Sequence, residues 1–333
     1  MTGFGVVLPG SRGIPPRVRA SRATDLASAA EASGFGSLWV ADPPLDPRFT
    51  TGEAYPPLEA TTLLGALAAL TSRIDVGVAV LDVGSWNPGI LAKTITTLDV
   101  IAGGRALLGI MVERPSDRRS DLWADPGQDP PDGPPPPDPV APGESEVDVE
   151  VAEEVVRICR SLFTADDVSL AGRHFHLERA RNQPRPTRPG GPPVLIGGHD
   201  RTRFVPLVAR YGDKCAVAGT PDAVATTVEL LQRHCEEIGR DPGEIDVVLL
   251  APCVLAAPAA GPTSATGTAG AGRVAGGASG VDAGILVGRP HQIPELVADY
   301  LAAGVDEVVF GLRSPVDPDA IVGLGDALGL AAT

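Results

Sequence analysis

The chain alternates short runs of β-branched and other apolar residues with longer amphipathic stretches along most of its 333 residues. This alternation is typical of parallel strands that are joined by helical crossovers. The predicted strands cover residues 4–8, 37–41, 74–81, 106–112, 193–197, 214–218, 245–255 and 307–311. The predicted helices cover residues 16–33, 58–71, 88–101, 147–163, 201–211, 221–238, 290–303 and 317–328. This pattern predicts an α/β fold, the (β/α)8 TIM barrel, with an open doubly wound sheet as the competing architecture.

Two low-complexity segments interrupt the alternation. Residues 113–146 are rich in proline and acidic residues, and residues 256–280 consist almost entirely of Ala, Gly, Ser, Thr and Pro. Neither composition can bury a core, so we predict both segments as insertions. Residues 1–333 are otherwise predicted to form a single TIM-barrel domain, because such barrels routinely exceed the usual domain size.

The charge balance and the N-terminus limit the partners and the location of the chain. With 27 basic and 42 acidic residues, the formal net charge is −15, which gives no basic footprint for nucleic acid or an anionic membrane. No apolar run reaches transmembrane length, and residues 1–8 lack the pattern of an export signal. The cysteines form no CxxC pair and the histidines no HExxH motif, so no metal site is expected. We therefore expect a cytoplasmic protein that binds neither nucleic acid nor a membrane.

In a (β/α)8 barrel the functional site lies at the carboxyl ends of the strands. This rule selects Asp42, Asp82, Glu113, the run Gly197-Gly198-His199, the pair Gly219-Thr220, and Arg313. Glycines between a strand and a helix leave backbone N–H groups uncovered beside the positive end of the helix dipole. The two glycine groups would therefore suit one phosphate of a cofactor, with ordinary tight turns as the alternative. Neither group follows the GxGxxG dinucleotide fingerprint.

Several segments together resemble a known family. They are residues 34–42 (GFGSLWVAD), 71–80 (TSRIDVGVAV), 87–99 (NPGILAKTITTLD), 103–109 (GGRALLG), 193–198 (PVLIGG), 208–213 (VARYGD) and 235–242 (CEEIGRDP). In their order and spacing they resemble the luciferase-like flavin and deazaflavin oxidoreductases, and most closely the branch that uses coenzyme F420, a deazaflavin. Nearly all basic residues are arginine, which is typical of GC-rich genomes such as those of actinobacteria, where this cofactor is common.

The resemblance implies a role for each candidate residue. Asp42 would lie near the polar edge of the cofactor ring. Ala79-Val80, followed by Leu81, matches the place where the family often has a non-prolyl cis peptide against the ring face. The cofactor phosphate would be bound by Gly197, Gly198, His199, Gly219 and Thr220. The cofactor would perform the hydride chemistry while the barrel positions it and excludes water.

Two departures from the family pattern bear on catalysis. Many members have a histidine directly after the aspartate of the second strand, and here that position is Pro43. The glycine-rich segment after the fourth strand is replaced by residues 110–115 (IMVERP). Glu113 is the candidate that would replace a lost acid, and a solvated glutamate at a loop start is the alternative.

Three functions follow from these observations. The first is an F420-dependent oxidoreductase that reduces a C=C or C=N bond, or oxidises an alcohol, in a small organic substrate. The second is an FMN-dependent luciferase-like monooxygenase. The third is a degenerate, non-catalytic barrel that binds a cofactor or a partner without turnover. By analogy with the family, the barrel would form a homodimer through the helices near the second and third strands.

Overall fold

The computed structural model describes residues 2–9, 15–42, 58–112, 144–255, 272–274, 284–312 and 316–330. Within them lie the strands β1 (Gly3–Val7), β2 (Ser37–Val40), β3 (Asp75–Asp82), β4 (Ala106–Met111), β5 (Val168–Ala171), β6 (His176–Ala180), β7 (Val194–Gly197), β8 (Lys214–Val217), β9 (Asp246–Leu255), β10 (Gly272–Val274), β11 (Ile285–Gly288) and β12 (Glu307–Leu312). The parallel strands β1, β2, β3, β4, β7, β8, β9 and β12 pair in this order, and β12 pairs with β1. The barrel is therefore closed, and the predicted (β/α)8 fold is confirmed.

Helices connect the strands on the outside of the barrel. They are α1 (Pro16–Ala32), α2 (Ala60–Leu70), α3 (Pro88–Ala102), α4 (Glu144–Thr164), α5 (Arg201–Tyr211), α6 (Pro221–Ile238), α7 (Ile293–Ala302) and α8 (Pro318–Ala327). Polar side chains define several helix starts: Asn87 Oδ1 accepts from two N–H groups of α3, and Thr220 caps α6. None of the described helices is long and apolar enough to cross a membrane.

Inward-facing side chains fill the centre of the barrel. Val7, Trp39, Leu107, Leu195 and Val309 belong to this inner core, and each is at most 1% exposed. Successive residues of a strand face opposite sides of the sheet. The strand neighbours of Trp39, Leu38 and Val40, therefore point away from this inner core. A separate, larger apolar core fills the space between the strands and the helices. The barrel is thus a packed scaffold, and a ligand site is confined to its ends.

A polar network closes the barrel at the amino ends of the strands. Lys214 Nζ lies 3.0 Å from Glu307 Oε2 and 2.8 Å from Asp246 Oδ2. The second oxygen of Glu307 accepts a hydrogen bond from Ser37 Oγ, which accepts one from Trp39 Nε1 at 2.8 Å. Four of these residues are the first of their strands, so the network joins β2, β8, β9 and β12 at one end.

The structure differs from the sequence prediction around the two insertions. Strand β10 lies inside the predicted insertion 256–280 and pairs antiparallel with β11, which was not predicted as a strand. Strand β11 pairs with the end of β9, because β9 extends well beyond its short neighbour β8 and leaves an edge open there. Helix α4 begins at Glu144, so the last residues assigned to the insertion 113–146 are helical. The remainder of both segments lies outside the described residues.

Candidate functional site

Asp42 lies at the carboxyl end of β2 and is half-buried. Burial, followed by the carboxylates of Glu59 and Asp82, raises the pKa of Asp42 to about 6. A hydrogen bond with the backbone of Ala60 opposes this increase only in part. The Asp42 carboxyl group can therefore exchange a proton close to neutral pH, as a general acid or base must.

The two neighbouring carboxylates are held in place by helix starts. Glu59 caps α2 and accepts hydrogen bonds from the backbone N–H groups of Thr61 at 2.9 Å and Thr62 at 2.7 Å. Burial alone would raise the pKa of Glu59, but the hydrogen bonds from Thr62 and Thr61 outweigh it and lower that pKa. Asp82 Oδ1 accepts from the N–H of Gly84 at 3.1 Å. Glu59 thus keeps a negative charge beside Asp42, and the sequence prediction missed it.

A β-bulge interrupts the pairing of β3 with β4. The register shifts between Val78 and Leu81, and the Ala79-Val80 peptide is cis, as the resemblance implied. Gly109 of β4 makes room for the bulge, because a Cβ atom there would lie 2.2 Å from the carbonyl oxygen of Val78. The bulge therefore depends on a glycine of the facing strand.

The bulge forms part of an apolar floor at the carboxyl end of the barrel. Val80 and Ala41 are partly exposed, and both pack on the inner core that contains Trp39 and Ala79. Leu81 is fully buried between the strands and the helices, so its side chain is not part of this floor. A flat ring could therefore rest on Ala41 and Val80, with Asp42 at its edge.

The two glycines at the carboxyl end of β7 are required by packing. A Cβ atom on Gly197 would lie 2.8 Å from that of Ala216, and one on Gly198 would lie 2.9 Å from that of Phe204. His199 is exposed. Asp200 caps α5 by accepting from the N–H of Thr202 at 2.9 Å. Because a carboxylate already occupies this helix start, an anion here needs a cation beside it.

The turn after β8 leaves hydrogen-bond donors available. Gly219 has a φ of 108°, a backbone conformation that favours glycine. Thr220 Oγ1 accepts from the N–H of Ala223 at 3.4 Å, so its hydroxyl hydrogen can point elsewhere. Within the described ranges, the backbone N–H of Thr220 donates to no acceptor. The start of α6 is thus better suited to an anion than the start of α5.

Two arginines that the sequence prediction missed lie at these helix starts. Arg201 Nη1 donates to the carbonyl oxygen of Ala223 at 3.4 Å, which joins the first turns of α5 and α6. Arg203 Nε lies 3.4 Å from Asp200 Oδ2, and its buried Nη1 has no partner among the described residues. The Arg201 guanidinium group, the Thr220 hydroxyl and the Thr220 N–H lie at these two joined helix starts, and together they are a donor set that fits a phosphate group.

The strand order places the two parts of the site across the mouth of the barrel. The floor and Asp42 lie at the carboxyl ends of β2 and β3, whereas the arginines and Thr220 follow β7 and β8, and β4 separates the two pairs of strands. The predicted candidates Glu113 and Arg313, and the departure at Pro43, lie outside the described residues. The fold and this arrangement define a (β/α)8-barrel protein with its candidate site at the carboxyl ends of the strands.

Comparison with known proteins identifies the family. The model of the luciferase-like monooxygenase family matches residues 2–266, and the chain belongs to this family. The F420-dependent glucose-6-phosphate dehydrogenase of Kineococcus radiotolerans is 28% identical over 226 residues, which cover 67% of this chain. The match spans 60% of that relative, less than two thirds of its length.

Solved structures agree with the fold. An F420-dependent secondary alcohol dehydrogenase in complex with an F420-acetone adduct has a TM-score of 0.72 at 17% identity, covering 99% of this chain and 98% of that chain. A monooxygenase from Streptomyces bottropensis has a TM-score of 0.67 at 18% identity, covering 99% and 97%. At these identities the likeness shows the fold alone. The family and these relatives are oxidoreductases, some named for F420 and others as monooxygenases.

Proposed function

We propose that the chain is an F420-dependent oxidoreductase that transfers a hydride to or from a small organic substrate. One arrangement carries the proposal: an apolar floor with a titratable carboxyl group at one side of the mouth and a phosphate-binding donor set at the other. A deazaflavin has the matching parts, namely a flat ring with a polar edge and a phosphate-bearing arm. The sequence relative that is named for F420 supports the same cofactor.

Each group of site residues would have its own role in binding the cofactor or in transferring a proton. Bound F420 supplies the hydride chemistry. Thr220, Arg201 and Arg203 hold the phosphate, while Gly197, Gly198 and Gly219 allow the backbone to approach it. Ala41 and Val80 support the ring, and the packed barrel beneath them excludes water. Asp42 holds or accepts the proton at a carboxyl oxygen, because its pKa of about 6 is close to neutral.

The reaction class follows from the same site. Reduction of a C=C or C=N bond requires a proton as well as a hydride, and oxidation of an alcohol releases one, so each can use Asp42. Glu113 remains a predicted second acid, and His199 a predicted phosphate ligand.

The alternative function is that of an FMN-dependent monooxygenase. An apolar floor and a phosphate-binding turn also suit a flavin, and the S. bottropensis monooxygenase has this fold.

Titration of the purified protein with F420 and with FMN tests the proposal. We expect F420 to bind with micromolar affinity or better and FMN to bind at least about tenfold more weakly, as followed by cofactor fluorescence. Preference for FMN would replace the proposal by the monooxygenase. If neither cofactor binds, the chain is a degenerate barrel, and Pro43 becomes its most informative departure from the family.

A matched pair of arginine variants links that binding to the site. Arg201→Gln is expected to weaken F420 binding about tenfold, because it removes a charged donor from the phosphate. Arg210→Gln alters an arginine in the last turn of the same helix and is expected to leave the affinity unchanged. Equal effects of the two variants would place the phosphate elsewhere.

We also propose that the chain forms a homodimer through the groove between α2 and α3. The groove has a volume of about 520 Å³ and is lined by residues of these helices, among them Ile90 and Ile101. Ile90 is 62% exposed and Ile101 is 47% exposed. A second copy of the chain presents the same groove with the same exposed isoleucines, so a two-fold contact would cover both grooves at once.

Replacement of one groove residue tests the dimer. Ile90→Asp is expected to convert the dimer to a monomer, because a carboxylate in an apolar contact loses its hydration. The control is Val322→Asp, which places the same charge on α8 at a residue that is 40% exposed and not part of the groove. Sedimentation of all three proteins decides the point: a monomeric wild type, or a dimeric Ile90→Asp, contradicts the proposal.

A further inference from the structure

Tyr300 of α7 is fully buried, and its hydroxyl group donates a hydrogen bond to the carbonyl oxygen of Gly219 at 2.9 Å. Tyr300 can approach the Gly219 carbonyl group because the residue beside both of them, Gly284 just before β11, has no side chain. A Cβ atom on Gly284 would lie 2.2 Å from Tyr300 Oη and 2.4 Å from the carbonyl oxygen of Gly219. Helix α7 and the start of β11 thus meet the turn after β8 at a single carbonyl group.

This hydrogen bond fixes the orientation of the next N–H group. In a planar trans peptide the C=O and the N–H point in opposite directions. Because the Gly219 carbonyl points to Tyr300, the N–H of Thr220 points away from Tyr300. Gly219 itself permits many backbone conformations, so the direction of this peptide depends on an anchor outside the turn.

We propose that Tyr300 is a positioning residue for the cofactor phosphate, which rests on the function proposed above. It does not contact the cofactor. It holds the Gly219 carbonyl and thereby directs the Thr220 N–H towards the phosphate, next to the Thr220 hydroxyl and Arg201. A donor fixed before binding costs less to order than one that must be oriented by the ligand.

Tyr300→Phe tests the proposal, because it removes the hydroxyl group and keeps the buried ring. The probes are F420 and the deazaflavin riboside that lacks the phosphate-bearing arm, each titrated by fluorescence. We expect Tyr300→Phe to weaken F420 binding about five- to tenfold and to change the affinity of the riboside less than twofold. The control is Tyr211→Phe, which removes a hydroxyl bonded to Glu153 on the helical layer and should change neither affinity.

The two ligands separate a positioning role from a structural one. An equal loss for F420 and the riboside would show that Tyr300 supports the whole barrel, and an unchanged F420 affinity would show that the hydrogen bond is not needed; either result overturns the inference. Circular dichroism melting confirms that each variant is folded. Gly284→Ala is a second test of the inference, because its methyl group must displace the same carbonyl group, and this variant should also weaken the binding of F420 but not of the riboside.

Failure of the proposed function gives a different result from failure of this inference. If the wild type binds neither F420 nor FMN, the proposed function fails, whereas an effect confined to the variants bears on Tyr300 alone.

Discussion

Asp42→Asn is expected to lower kcat about 100-fold and to remove a transition near pH 6 from the pH profile. An amide cannot exchange a proton, and a positioned acid or base contributes about 10²- to 10⁴-fold. In the wild type the carboxyl group is protonated below its pKa of about 6 and ionised above it. The activity should therefore fall below pH 6 when an alcohol is oxidised, and above pH 6 when a double bond is reduced.

The control for this variant is Asp241→Asn, which alters an aspartate that caps the short helical turn before β9 and should leave kcat within about twofold of the wild type. Substrate and cofactor concentrations must saturate both variants, so that kcat is compared rather than binding. An Asp42→Asn enzyme that retains wild-type kcat and the same pH profile would show that another group carries the proton.

Asp42→Asn is also expected to raise the free energy of unfolding at alkaline pH. Asp42 has a folded-state pKa raised from 3.8 to about 6, so its ionised form destabilises the native state above that pH. Asparagine removes this cost at pH 8 and changes little at pH 4, where the carboxyl group is protonated. After a discount for the exposure of the group, the gain at pH 8 is about 1 kcal/mol. Denaturant unfolding at the two pH values measures it.

Periodicity along the chain was sufficient to predict the elements that build the barrel. The helices Arg201–Tyr211 and Pro221–Ile238 match the prediction at both ends. Their starts are defined by the capping residues Asp200 and Thr220, and the second helix ends at Gly239, which has the left-handed conformation of a C-terminal cap. Strand β11 was missed because its four residues follow a low-complexity segment, and its partner is the exposed end of a long strand. Such pairing depends on relative strand lengths that no local pattern contains.

The site was only partly predictable, for a related reason. The positions of Asp42, Gly219 and Thr220 follow from the rule that ligands bind at strand ends. The raised pKa of Asp42 depends on its burial and on Glu59, and the placement of Arg201 at the proposed phosphate site depends on how α5 packs beside α6. These contacts arise only when separate elements meet, so the residue types gave no signal for them.

The glycine pairs show the limit of sequence reasoning most directly. Gly197 and Gly198 would have been required by the close approach of Ala216 and Phe204 even without a ligand. Their presence therefore cannot distinguish a packing requirement from a phosphate site. The Ala79-Val80 cis peptide was expected only through the family resemblance, because nothing in its local sequence indicates a cis bond.

Lys214→Met is expected to lower the free energy of unfolding by about 3 kcal/mol without changing the affinity for the cofactor. The side chains of Lys214 and Glu307 are 15% and 11% exposed, and removing the lysine leaves a buried carboxylate without its cation. The network lies at the amino ends of the strands, opposite the proposed site, so it contributes to stability and not to binding. Denaturant unfolding and F420 titration measure the two effects separately.

Two further variants show whether the loss comes from the unpaired charge. Arg181→Met removes an exposed cation that lies 3.3 Å from Asp167 Oδ2, outside both the network and the groove, and should cost less than about 0.5 kcal/mol. The double variant Lys214→Met with Glu307→Leu removes both charges and should regain much of the lost stability. A double variant that is less stable than Lys214→Met would show instead that Glu307 stabilises the barrel through Ser37 alone.

The pH dependence of Lys214→Met provides an independent check. Burial lowers the pKa of Lys214, but Glu307 and Asp246 outweigh it, and the net shift is upward from 10.5. A raised folded-state pKa contributes stability below the unfolded value, and this contribution is lost only as the pH rises through the folded-state pKa. The stability difference between Lys214→Met and the wild type should therefore be constant from about pH 6 to 9 and shrink only above about pH 10.5. A difference that disappears below pH 9 would show that the ammonium group is not held by its two carboxylates.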